Sequence, residues 1–131
     1  MATLFSKIIQ GEIPSYKIAE NENFYAFLDI NPMVEGHTLV VPKQETDYIF
    51  DLEDTLLSEM VVFAKKIAWG IQKAVACKRV GMMVIGLEVP HAHIHLIPIQ
   101  KEGDMSLANS RVELSKEQFE IIAANIRKHI F

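Results

Sequence analysis

The chain has 131 residues, half of them apolar, a formal charge of −4 and a single cysteine. That length suits one compact domain, spanning 1–131, which can bury a sizeable core without disulfides or metal. Interspersed acids and bases argue against a nucleic-acid backbone as the main partner, and no apolar run approaches the ~20 residues that cross a bilayer. The opening Met1-Ala2-Thr3-Leu4-Phe5-Ser6-Lys7 lacks a basic region followed by an apolar stretch, so a soluble, cytoplasmic protein without a leader is expected. Cys77, at the end of an amphipathic run, reads as a small buried hydrophobe in a reducing compartment.

Taken in chain order, Thr3 is placed to cap a short helix over Leu4–Gln10, and Gly11 to end it. Pro14 then breaks into extended chain. Residues 16–20 and 24–30 read as strands joined by a hairpin turn at Glu20-Asn21-Glu22-Asn23, the second nearly continuously apolar, as in a strand covered on both faces. Asn31-Pro32 marks a turn, and Gly36 precedes a strand over His37–Val41 stopped by Pro42. From about Asp51 to Cys77 runs one long helix. Its apolar stripe is Leu52, Leu56, Met60, Phe63, Ile67 and Ile71, with Glu59, Lys65, Lys66 and Lys73 between. Strands over 80–86 and 91–99 follow, joined around Gly86 to Pro90. Ser115, with Gln118 three residues on, opens a last helix to about Lys128. The pattern predicts an α+β fold: a mainly antiparallel sheet of about five strands, the long helix on one face, and short helices at both ends.

Three of the five histidines fall in His91-Ala92-His93-Ile94-His95. On a strand, i, i+2, i+4 spacing puts three rings on one face and Ala92, Ile94 and Leu96 on the other. A histidine-rich strand without function would leave three polar rings needing partners. A metal site is the sharper rival. Yet His91 and His95 would lie roughly 13 Å apart at about 3.3 Å per residue, too far for one ion with bonds of about 2 Å. A two-histidine site needs further ligands, of which His37 is the obvious one. Nucleophilic catalysis accounts for the triplet best on chemistry alone, with the metal reading still standing. A neutral imidazole attacks phosphorus well, provided an acceptor holds the proton on its other nitrogen, and flanking histidines and strand carbonyls can supply one.

The run His91-Ala92-His93-Ile94-His95-Leu96-Ile97 resembles the signature of the histidine triad (HIT) family, three histidines alternating with hydrophobic residues. The resemblance extends from about Leu4 to about Ile99. Phe5-Ser6-Lys7-Ile8-Ile9 with Gly11-Glu12-Ile13-Pro14 is similar to the family's opening. Ala26-Phe27-Leu28-Asp29-Ile30-Asn31-Pro32 is similar to its ribose-binding strand end, and Gly36-His37-Thr38-Leu39-Val40-Val41-Pro42-Lys43 to its next strand. The small, single-domain Hint-like branch is the nearest match; residues 100–131 lie outside it.

The resemblance implies a homodimeric hydrolase of nucleotide conjugates, purine nucleotides among them, that needs no cofactor and no metal. His93 would attack the α-phosphorus and form a nucleotidyl-histidine that water hydrolyses. His95 would donate to phosphate oxygen, His91 would support the nucleophile, and His37 would stand beneath the triad. Asp29 would accept from the ribose hydroxyls. Phe5, Ile8, Phe27, Leu28, Ile30 and Leu39 would line a slot for the base, with Glu88 and Val89 also at the nucleotide. Simpler readings stand beside these: Asp29 as a turn starter, Phe5, Ile8 and Leu39 as ordinary core, and His37 as structural support. Many Hint-like relatives carry a longer loop before the triad with a Gly-Gln-Ser/Thr stretch that contacts phosphate. Here Leu87 and Glu88 stand where glutamine and a hydroxyl residue are expected. Leu87 cannot hydrogen-bond a phosphate, and an ionised Glu88 would repel one unless it received an amine leaving group. Two alternatives to the phosphoramidate reading are therefore a dinucleoside polyphosphate hydrolase and a nucleotide-binding regulatory module with weak catalysis.

Overall fold

Alternation along strands and three-to-four spacing along helices sort the apolar side chains to two sides of one sheet. In the computed structural model, which describes residues 2–130, the strands are β1 (Lys17–Glu20), β2 (Phe24–Leu28), β3 (Thr38–Pro42), β4 (Arg79–Met83) and β5 (Ile94–Ile99). The helices are α1 (Leu4–Ile9), α2 (Asp54–Ala74) and α3 (Lys116–Lys128). The sheet order is β1-β2-β3-β5-β4 and every neighbouring pair is antiparallel. The fold is α+β, as the pattern predicts.

Strand β2 shows the sorting. Phe24, Ala26 and Leu28 point to the helix side and Tyr25 and Phe27 to the other. On the helix side they meet Met60, Phe63, Ala64, Ile67 and Ile71 of α2 and Phe119, Ala123 and Ile126 of α3. On the opposite side Phe5 and Ile8 of α1 close over Tyr25, Phe27, Leu39 and Val41. Ala92, Ile94 and Leu96 join the helix-side core, as alternation requires, so the histidines between them face the α1 side. Among the described residues no helix is long and apolar enough to cross a membrane.

Several boundaries differ from the sequence expectation. The long helix begins at Asp54, not about Asp51, because Ile49–Asp51 forms a separate tight turn and Leu52 is extended. Leu52 still buries its side chain. At the other end Val75 turns extended, leaving Cys77 outside the helix and half-buried; burial pushes its thiol pKa up. Strand β4 stops at Met83, opposite His95, so 84–90 is loop. Strand β5 starts at Ile94, so His91 and His93 precede it. The amides there bond elsewhere: His91 N–H donates to the Val89 carbonyl at 2.8 Å and Ala92 N–H to the Thr46 carbonyl at 2.6 Å.

The C-terminal region, to which the sequence assigned no role, completes the core. Ser115 and Gln118 form the expected reciprocal cap. Tyr16 stacks on Phe119 with ring centroids 4.7 Å apart, and Arg127 Nη1 donates to the Lys17 carbonyl at 2.6 Å.

Candidate active site

Each triad imidazole is held by a group that decides where its proton sits. His91 is fully buried, and burial lowers its pKa, so its ring is neutral with one donor and one acceptor nitrogen. Its Nε2 lies 2.7 Å from the Pro42 carbonyl, which can only accept, so the proton is on Nε2. Nδ1 then accepts from the Thr3 hydroxyl at 2.7 Å. Thr3 in turn accepts the Ser6 N–H as cap of α1 (3.0 Å), and the Ser6 hydroxyl donates to Glu45 at 2.5 Å. That bond is the main reason the Glu45 carboxyl titrates below its usual range. Thus the helix cap visible in the sequence is also the support of the first histidine.

His93 donates its Nδ1–H to the His91 carbonyl at 2.8 Å. With that proton on Nδ1, the lone pair available to the ring lies on Nε2. Phe5 stands edge-on to it with centroids 5.0 Å apart, and His95 at 4.9 Å. Its accessibility is 7%, so the ring is screened from bulk water.

His95 is fixed from below by His37. The Met33 N–H donates to His37 Nδ1 at 3.0 Å, which forces the His37 proton onto Nε2. That Nε2–H donates to His95 Nδ1 at 2.9 Å, leaving His95 with its own proton on Nε2. Burial, followed by the proximity of the neighbouring histidines and Arg111, depresses both groups: His37 to about 3 and His95 to about 4. Both are neutral at physiological pH. Asp29 Oδ1 accepts the Asn31 N–H at 2.8 Å, and Oδ2 lies 3.5 Å from His37 Nε2. With His37 neutral this contact is no ion pair. Burial raises the Asp29 pKa, against the lowering effects of Asn31 and Arg111. Asp29 is thus a turn residue through one oxygen, with the other turned toward the histidine cluster.

Asp29, His37 and His95 offer ligand atoms all within 4.8 Å of one another, which invites a metal reading. The donor set does not fit. A cation on His37 Nε2 would need the proton on Nδ1, directly against the Met33 N–H that points there. The alternative hydrogen-bond relay satisfies both ring nitrogens of His37, and among the described residues no buried side-chain nitrogen or oxygen lacks a partner.

The expected base slot is partly assembled. Phe5, Ile8, Phe27 and Leu39 share the α1-side cluster, with Val89 packed against it. Leu28 is not brought there: alternation along β2 turns it into the helix-side core. Ile30 also stands apart, 73% exposed beyond the end of β2. Leu87 is 88% exposed and Glu88 is exposed on the loop, where its charge is felt at Asp29. Sequence reasoning missed Tyr25 of the slot cluster, whose hydroxyl is 2.8 Å from Ser15 Oγ. It also missed Glu45, the backbone groups of Pro42 and Met33, and Arg111. Alternation from Phe27 would have found Tyr25; no local pattern marks the others.

Three tautomer-fixed imidazoles at the entry to β5 of an antiparallel sheet, beside an apolar slot, define the histidine-triad class of fold and site. The HIT domain family profile matches residues 10–102, and the chain belongs to that family, which binds nucleotides and their conjugates and includes hydrolases. The adenosine 5'-monophosphoramidase HNT1 of Saccharomyces cerevisiae is 39% identical over 106 residues, covering 77% of this chain and 65% of that protein. A HIT-like protein involved in cell-cycle regulation from Bartonella henselae superposes with a TM-score of 0.83 at 30% identity, over 97% of this chain and 95% of that one. A zinc-bound histidine triad family protein from Mycobacterium smegmatis gives 0.82 at 26% identity, over 99% and 94%.

Proposed function

We propose that the protein hydrolyses nucleotide conjugates, nucleoside phosphoramidates first among them, through a covalent nucleotidyl-histidine on His93. The observation that carries this reading is the 2.8 Å bond from His93 Nδ1 to the His91 carbonyl, which leaves Nε2 as a free lone pair. In the proposed reaction Nε2 bonds to the α-phosphorus while the phosphorus–nitrogen bond breaks. The electron pair goes to the amine, which takes a proton from solvent. The phosphorylated ring is then cationic, and its Nδ1–H bond to the carbonyl strengthens as that charge develops. His95, neutral with Nε2–H, donates to a non-bridging oxygen. Water attacks phosphorus from the vacated side, releasing His93 and a nucleoside monophosphate and giving up a proton. Phe5, Ile8, Phe27 and Leu39, joined by Tyr25, would take the base, and Asp29 the ribose. The similarity to HNT1 supports a phosphoramidate substrate.

Outward-facing Val61, Val62 and Trp69 of α2, with Met82 of β4, support a homodimer, and a cytoplasmic setting suits this chemistry. The exposed Leu87–Glu88 loop favours a second reading as a nucleotide-binding regulator. Rapid quench of the enzyme with adenosine phosphoramidate, read by mass spectrometry, decides between them. An adenylyl adduct on His93 that is absent from His93→Ala is expected, while His93→Ala still binds AMP. Full turnover by His93→Ala would end the nucleophile assignment. Tight AMP binding with no adduct and no turnover would favour the regulator, and faster turnover of diadenosine polyphosphate would change the leaving group.

A further inference from the structure

A site built to receive a phosphate gains from positive charge, and of the triad neither His91 nor His95 supplies it. His37, His91 and His95 are all depressed by burial and neutral at physiological pH. The loop before the triad offers Leu87 and Glu88, one apolar and one repulsive. The missing cation comes from the C-terminal arm. After β5 the chain runs back through residues 106–114, and the Val112 N–H donates to the Pro32 carbonyl at 2.9 Å. That bond pins the arm to the turn that carries Asp29, whose Oδ2 lies 3.5 Å from His37 Nε2. Arg111, the residue before the pin, is half-buried. Among the described residues it has no carboxylate within ion-pair distance.

From this placement we propose that Arg111 binds the phosphoryl group of the substrate, in place of the polar loop residues this chain lacks. The inference rests on the nucleotide reading above. The Arg111 charge is felt at Asp29, His37 and His95. At the other end, His91 feels Glu45 instead. Glu45 therefore stands at the His91 end without a cation, whereas at the His95 end Arg111 accompanies Asp29, so the positive charge lies where His95 Nε2–H awaits an anion. A planar guanidinium suits two phosphate oxygens at once and stays charged at every working pH.

Calorimetric titration of AMP and of adenosine into wild type, Arg111→Gln and Arg111→Lys tests this. The two ligands differ only in the phosphate. Arg111→Gln is expected to weaken AMP binding by about tenfold or more while adenosine binds as before, with Arg111→Lys intermediate. The wild-type preference for AMP should shrink as salt rises. Unchanged AMP affinity in Arg111→Gln, or equal loss of both ligands, overturns the proposal; the second result would mark a purely structural arm. Should Arg111→Gln fail to fold, the same comparison is made on Arg111→Lys, where a severalfold loss confined to AMP is expected. Wild-type protein that binds neither ligand would end the nucleotide reading itself, and this inference with it.

Discussion

Buried neutral histidines give the fold a steep, signed dependence on acid. The unfolded chain protonates His37 and His95 near 6.5, whereas the folded chain does so only near 3 and near 4. Between those values the unfolded state binds more protons, so stability rises with pH, is fully present above about 6.5, and is lost as pH falls toward the folded values. Going from about pH 7.5 to about pH 5, each of the two groups removes about 2 kcal/mol, since 1.36 kcal/mol attaches to each unit of the window crossed. His91 is lowered in the same direction and adds to the loss. Asp29 is raised: its contribution moves oppositely and offsets a part. The sum, about 4 kcal/mol, is a large share of the 5–15 kcal/mol typical of a domain. Urea unfolding at the two pH values measures it. His95→Asn keeps an acceptor for the His37 proton but removes one titrating ring, so it should lose about 2 kcal/mol less on acidification. Wild-type stability that is flat between the two pH values would refute the buried, neutral assignment of both rings.

Two further perturbations test the supports of the site and of the fold. Thr3→Val removes the hydroxyl that donates to His91 Nδ1 and caps α1. It should cost about 1–2 kcal/mol in urea unfolding and slow turnover severalfold, with AMP affinity little changed. Phe119→Ala removes a buried ring that stacks on Tyr16. A loss of about 3–5 kcal/mol in the same assay is expected, and a loss below about 1 kcal/mol would deny α3 its place in the core.

What could be read beforehand, and what could not, follows from the range of each interaction. Strand alternation and the α2 stripe are local periodicities, and both placed their residues on the correct sides. Ser115 and Thr3 were legible as caps because the capping signal spans three residues. Thr3 as the partner of His91 was not, since 88 residues separate them. Leu28 was expected at the slot from the family resemblance, although it is adjacent to Phe27 and neighbours in a strand face opposite ways. Arg111 sits in an irregular arm with no periodicity at all. The bond from the Val112 N–H to Pro32, 80 residues before it, brings the arm to the turn that carries Asp29.

The support of the triad rests largely on main-chain atoms. Pro42 O takes the His91 proton, His91 O takes the His93 proton, and Met33 N–H fills His37 Nδ1. Proline at Met33 aside, no side-chain replacement at those three positions deletes such a group, so the tautomers depend on the backbone path and not on the side chains of the loop 84–90. It follows that Leu87 and Glu88 can depart from the Hint-like pattern without disturbing the nucleophile. In the proposed reaction, what they would change is the surroundings of the departing group, toward which the exposed acid Glu88 would stand. Chemistry and selectivity are then separable in this chain. Exchanging Leu87–Glu88 for Gln-Ser should shift the relative rates on phosphoramidate and polyphosphate substrates, while the yield of His93 adduct at saturation stays as it was. A loss of the adduct in that variant would mean that the loop, and not the backbone, sets the state of the nucleophile.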